Sequence, residues 1–176
     1  MRAWLGIAIL AGVVLAVSYR VTLNGIPRAR MDALMGEIIQ QAGGVNRIVH
    51  TDLEGENTPG FLLPAPDLLY SACVYDLKFG PVRVAGHVPE AYWSLSLHSK
   101  AAENFYLAND REVAGPRYDV VVALNGQHVP PDVAPDHVVR APTRRGVALV
   151  RIFVPDATVL PTLRAVQREG RCAPAQ

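Results

Sequence analysis

The chain has 176 residues, half of them hydrophobic, with 17 Lys and Arg against 16 Asp and Glu and a net charge of +1. Its basic residues are scattered, which excludes the clustered positive footprint of a nucleic-acid-binding protein. The length suits one domain with a substantial core rather than several.

The first feature in chain order is an uncharged, largely apolar run from Ala3 to Tyr19, preceded only by Met1 and Arg2. At about 1.5 Å per residue, a helix from Ala3 to Leu23 spans roughly 30 Å, the thickness of a bilayer's hydrocarbon core. Arg20 would snorkel to the interface, and Trp4 and Tyr19 would sit at headgroup level. Two readings stand. Residues 1–23 are a transmembrane signal anchor, or they are a secretory signal cleaved near Ala16-Val17-Ser18. The anchor reading is favoured, with the N-terminus cytoplasmic and the rest in the periplasm of a bacterial inner-membrane protein. Arg20, Arg28 and Arg30 argue for the opposite orientation if counted by the positive-inside rule.

Residues 24–44 read as a juxtamembrane amphipathic helix. Pro27 is expected to open it. Met31, Leu34, Met35, Ile38, Ile39 and Ala42 recur at three- and four-residue spacing as one stripe, and Gly43-Gly44 ends it. Such a stripe docks on the following domain or lies in the membrane interface.

Residues 45–176 read as a single β-rich domain. A short strand is expected over Val45–Val49 and a loop over Glu54–Pro66. Further strands are expected over Leu68–Leu77, Val82–Val88, Tyr92–His98, Asn104–Ala108, Tyr118–Leu124, His137–Ala141 and Gly146–Phe153. Gly80-Pro81, Gly115-Pro116, Asn125-Gly126, Pro130-Pro131 and Arg145-Gly146 separate them. Short strands at this spacing predict a mainly β (α+β) fold, an antiparallel β-sandwich or jelly-roll-like barrel with short flanking helices. In Tyr92–His98 the alternation puts Trp93, Leu95 and Leu97 on a core face. Ser94, Ser96 and His98 then face water, a ligand or a partner. Asp156 is the expected N-cap of a last helix carrying Val159, Leu163, Val166 and Gln167, with Pro161 in its first turn and Gly170 closing it.

The densest polar set lies on one strand: Asp67, Tyr70, Ser71, Tyr75 and Asp76. Carboxylates beside a phenol suit proton transfer or ligand holding. However, Asp67 and Asp76 differ by an odd number of positions and point to opposite faces of a strand. The bland alternative has Asp67 capping a turn, Asp76 bonding backbone amides before Gly80, and Tyr70 packing in the core. Asn109-Asp110-Arg111 reads as a turn with a surface salt link, or as a small binding site. Histidines 50, 87, 98, 128 and 137 lack metal-ligand spacing, so no metal is expected. There is no G-x-S-x-G, phosphate-cradling loop or H-E-x-x-H, and no cofactor is expected. Cys73 and Cys172 lack C-x-x-C spacing; either they pair across a long loop in an oxidising compartment, or Cys73 is a buried thiol and Cys172 lies in a loose tail.

The stretch from Pro66-Asp67-Leu68-Leu69-Tyr70-Ser71 through Asp76-Leu77, Gly80-Pro81-Val82, Val88-Pro89 and Tyr92-Trp93-Ser94 resembles the bacterial domain-of-unknown-function family 1254. The resemblance implies a small, β-rich, jelly-roll-like module with one N-terminal membrane segment and no assigned reaction. Larger members carry a second domain, of family 1214. Ala65 and Leu68 stand where the larger members place Asn and Thr, which weakens a catalytic role for Asp67. No residue set specifies a reaction, so no catalytic residue is assigned. The expectation is a non-catalytic binding or accessory module of the cell envelope, or a small subunit of a membrane complex. It would partner the lipid bilayer and another envelope protein. Asp67, Tyr70, Ser71, Asp76, Asn109, Asp110 and Arg111 are the candidate binding residues. The alternative is an enzyme on an envelope small molecule or glycan, using Asp67 and Tyr70.

Overall fold

In a computed structural model, residues 2–53, 65–113 and 115–175 are described. Helix α1 runs Arg2–Ala42, followed by β1 (Ile48–Thr51), β2 (Leu68–Asp76), β3 (Val82–His87), β4 (Trp93–Ser99) and β5 (Asn104–Asn109). Then come β6 (Arg117–Ala123), β7 (Val138–Arg140), β8 (Arg145–Phe153), α2 (Leu160–Arg168) and β9 (Arg171–Pro174). The strands form a five-stranded sheet ordered β1-β2-β8-β4-β5 and a four-stranded sheet ordered β7-β6-β3-β9. Among the described residues every pairing is antiparallel except β6 with β7. The two sheets pack face to face as a sandwich, so of the two expected architectures the sandwich is the one formed.

The alternation read from the sequence places the side chains correctly on the central strands. Leu69, Cys73 and Tyr75 of β2 and Trp93, Leu95 and Leu97 of β4 meet Val82, Val84, Val120 and Val122 of the opposite sheet. Trp93 stacks on Tyr118 with ring centroids 5.1 Å apart, a geometry worth about 0.5–1.5 kcal/mol beyond the area it buries. Space is tight here. A Cβ at Gly86 would enter the Tyr118 ring, and one at Gly146 would meet the His98 carbonyl and the Tyr75 hydroxyl.

The other face of the five-stranded sheet is apolar too. Tyr70, Ala72, Val74, Val147 and Leu149 pack under Met31, Met35 and Ile38 of α1. Burying each of those three helix residues contributes about 1.5–3 kcal/mol. The 24–44 stripe therefore docks on the domain, and Lys100 adds an ion pair to Asp32 at 3.2 Å. α1 is long and apolar enough to cross a membrane.

Several expectations need correction. Pro27 does not open a helix; it lies inside α1. It forgoes one intrahelical bond, and the helix continues past it through Arg28-Ala29-Arg30 to Ala42. The first strand is Ile48–Thr51 rather than Val45–Val49, because Asn46 has a positive φ of 56° and its amide bonds the Val74 carbonyl. Ser94 and Ser96 do not face water. Both are buried on the α1 side of the sheet, where Ser96 Oγ lies 3.1 Å from His98 Nε2 and donates to the Leu149 carbonyl. Asp156 is not the cap of α2. It accepts bonds from the Thr158 amide and hydroxyl in a turn, and the helix starts after Val159, which offers no side-chain cap. The tail forms an edge strand, β9, that sequence periodicity over four residues did not reveal. Most of the Glu54–Pro66 loop lies outside the described residues.

Cys73 on β2 and Cys172 on β9 are disulfide-bonded, with a sequence separation of 99. The bridge joins the two sheets across their shared core. In the chain-entropy treatment such a loop is worth up to about 4.7 kcal/mol. Cys172→Ala is expected to destabilise the domain by about 2–5 kcal/mol in guanidinium titrations of the full chain, with the same loss on reduction of the unmutated protein. An unchanged midpoint in both would show that the crosslink carries no stability.

Candidate functional site

The two ends of the sandwich differ. At the basal end lie the start of β8, the turn after β2 and the β4–β5 turn. At the apical end lie residues 65–67, 88–92, 109–113, 115–116 and 153–159. Near the apical end, α2 crosses the mouth of the sandwich and leaves a groove of about 640 Å³ against β3. Val88, Val159, Leu163 and Val166 provide its apolar lining, and His87, Glu90, Thr162 and Glu169 its polar groups.

The groove is built from both sides. β3 ends at His87, and the Val88 amide bonds the Pro116 carbonyl at 2.9 Å, fixing one wall. The other wall is α2, whose Leu163 enters the core. Buried Gln167 holds this helix: its side-chain amide donates to the carbonyls of Thr51 at 3.0 Å and Tyr70 at 2.9 Å. Arg164 pairs with Asp52 at 2.7 Å, and the disulfide anchors the chain just beyond Gly170.

At the rim, His87 Nδ1 contacts the Glu169 carboxylate, while Arg117 Nη1 sits 3.5 Å from His87 Nε2. That arrangement places the imidazole between a carboxylate and a guanidinium at the rim. Among the described residues the lining holds no serine or cysteine nucleophile. An apolar concavity with a few convergent polar groups is what a binding site needs.

The candidate residues read from the sequence are not brought together. Asp67 is exposed at the apical end, and its carbonyl accepts from the Val154 amide. Tyr70 is buried beneath α1, with its hydroxyl accepting from the Ala65 amide at 3.1 Å. Ser71 is buried against His50 Nδ1 at 2.8 Å. Asp76 is at the basal end, 7% exposed, and is bound by Arg145 Nε at 2.5 Å, Arg144 at 3.4 Å and the Lys78 amide at 3.0 Å. Burial alone would raise the Asp76 carboxyl, but these hydrogen bonds and arginine charges outweigh it and hold it below its ordinary value. Asn109 Oδ1 accepts from the Arg111 amide, closing a turn, and no ion pair joins Asp110 to Arg111 among the described residues. None of these residues lines the groove. Sequence reading missed His87 and Glu169 because they lie on separate elements; the visible signal was the Val159-Leu163-Val166 stripe running toward Glu169.

Residues 45–174 match the family model described as a protein of unknown function, DUF1254. The chain belongs to the DUF1254 family. No curated protein matches it. Among solved structures it is similar to the VPA0106 protein from Vibrio parahaemolyticus, at 13% identity and a TM-score of 0.57, over 86% of this chain and 38% of that one. An uncharacterised protein from Burkholderia cenocepacia matches at 16% identity and a TM-score of 0.48, over 83% of this chain and 38% of that one. This DUF1254 chain thus spans about two-fifths of the length of each. The Vibrio likeness is one of fold.

Two half-buried histidines are expected to make the DUF1254 domain lose stability in acid. Burial, then Arg168, lowers the pKa of His50; burial, then Arg151, lowers that of His98. Both start from an ordinary value of 6.5. Below pH 6.5 the unfolded chain therefore takes up protons that the folded one refuses, and stability falls as pH drops. Urea midpoints measured between pH 7 and pH 5 should decline, and the His50→Gln/His98→Gln double variant should show a flatter profile. A double variant as steep as the parent would contradict this assignment.

Proposed function

We propose that this chain is a membrane-tethered, non-catalytic binding module of the bacterial cell envelope, whose apical groove holds part of another envelope protein. The groove between β3 and α2 carries the reading: its walls are rigidly held, its floor is apolar and its rim is polar. Asp67 and Tyr70 do not converge, so no specific observation favours catalysis through them. The apolar N-terminal half of α1 supports the tether. A crosslink between sheets is a feature of exported proteins and supports a periplasmic domain.

Orientation is tested with reporters fused after Gln176. Alkaline phosphatase should be active there and a cytosol-dependent reporter silent; the reverse pattern would refute export.

For the groove, the full chain is purified in mild detergent with whatever accompanies it. Thr162→Trp fills the groove from an exposed helix position and should reduce the recovered partner at least about tenfold, the effect of losing some 1.4 kcal/mol of binding. The thermal midpoint should be unchanged. Recovery of a lone chain, or a partner retained at full yield by the variant, would refute the groove as the binding site.

A further inference from the structure

The basal end carries a feature that the fold does not use. Phe79 sits at the tip of the turn between β2 and β3 and is 92% exposed. The tip is held firmly. Asp76 accepts from the Lys78 amide, the Gly80 amide bonds the Leu77 carbonyl, and Gln127 donates to that same carbonyl at 2.9 Å. Leu77 beside it is buried, so the turn is anchored in the core while the next-but-one side chain points out. Lys78 Nζ lies 4.8 Å from the centre of the Phe79 ring. An aromatic ring presented to solvent on a rigid turn leaves its free energy of burial unrealised, and the cation over its face offsets only part of that.

The surroundings are basic. Arg144 and Arg145 border the turn with side chains 51% and 44% exposed, and exposed Arg140 bonds the Leu124 and Gln127 carbonyls nearby. Their acid, Asp76, is buried among them, and Glu103 supplies an exposed acid on the β4–β5 turn. That same turn is where α1 leaves the domain. Lys100 pairs with Asp32, and Pro27, Arg30 and Ala102 border one hollow. The Phe79 tip and the emerging apolar helix thus belong to the same end of the sandwich.

We propose that Phe79, with Lys78 and the adjacent arginines, is a second membrane contact, which seats the basal end of the domain on an anionic lipid surface. This rests on α1 spanning the bilayer. The ring enters the headgroup region, where aromatic side chains are favoured, and each nearby cation adds about 1 kcal/mol of attraction to an anionic leaflet. Seating the basal end turns the apical groove away from the bilayer.

The test uses the full chain in vesicles of phosphatidylcholine with or without phosphatidylglycerol. Phe79→Trp is the probe, read as the difference from unmutated protein because Trp4 and Trp93 also emit. In phosphatidylglycerol vesicles the emission of the introduced indole should be blue-shifted and quenched by brominated acyl chains, and much less so in pure phosphatidylcholine. Lys78→Gln in that background should lower the seated-to-free ratio about fivefold, the equivalent of one cation's attraction. Water-like emission in anionic vesicles from a chain that floats with them would overturn the contact but leave the tether standing. Equal quenching in both lipids would overturn recognition of anionic charge. A chain that fails to float with vesicles would overturn the tether and this contact together.

Discussion

The central strands β2 and β8 of the five-stranded sheet are apolar on both faces, and the rest of the architecture follows from that. β2 alternates Leu69, Cys73 and Tyr75 with Tyr70, Ala72 and Val74, and β8 does the same with Ala148, Val150 and Ile152 against Val147 and Leu149. Neither face tolerates water, so each must be covered. The four-stranded sheet covers one, and the last turns of α1 cover the other. A helix whose beginning is suited to lipid is therefore, at its end, part of the domain's core. The domain is fastened to its apolar segment by packing rather than by a slack linker, and any movement of one carries the other.

Across the inner interface, close fit and covalent closure act together. Gly86 and Gly146 lack the atom that would push away Tyr118 and Tyr75, and this allows the aromatic side chains to lie flat against strand backbone. The disulfide then joins the second strand to the last one, so that the four-residue β9, too short to hold itself, is fixed at the edge of its sheet. The same attachment, with the Gln167 hydrogen bonds, holds α2 over the mouth of the sandwich beside the groove.

Charge is divided between the ends. Most of the polar groups on β2 serve the fold: Ser71 satisfies a half-buried histidine, and Asp76 gathers two arginines and a backbone amide at the base. A carboxylate in such a nest is kept ionised and fully occupied, which makes it a good fastener and a poor ligand-binding group. The groups left with spare capacity sit elsewhere, on the rim beside α2 and on the Lys78–Phe79 tip.

What the sequence determined by itself was periodicity. Strand alternation at Leu68–Asp76 and Trp93–Ser99, the three-four stripe at Met31–Ile38 and the turn residues between strands are local properties, and they fixed the fold class and the inward faces. The polar faces were harder. Ser94 and Ser96 look solvent-facing in a strand pattern, yet they are buried beside a helix that begins more than fifty residues earlier. Pro27 looks like a helix start, yet the residues around it continue the helix past it. Only the tertiary structure decided that Cys73 meets Cys172 and that His87 meets Glu169. Those meetings depend on how strands from distant parts of the chain are ordered within each sheet, and a strand's pattern records which side is apolar without recording its neighbour.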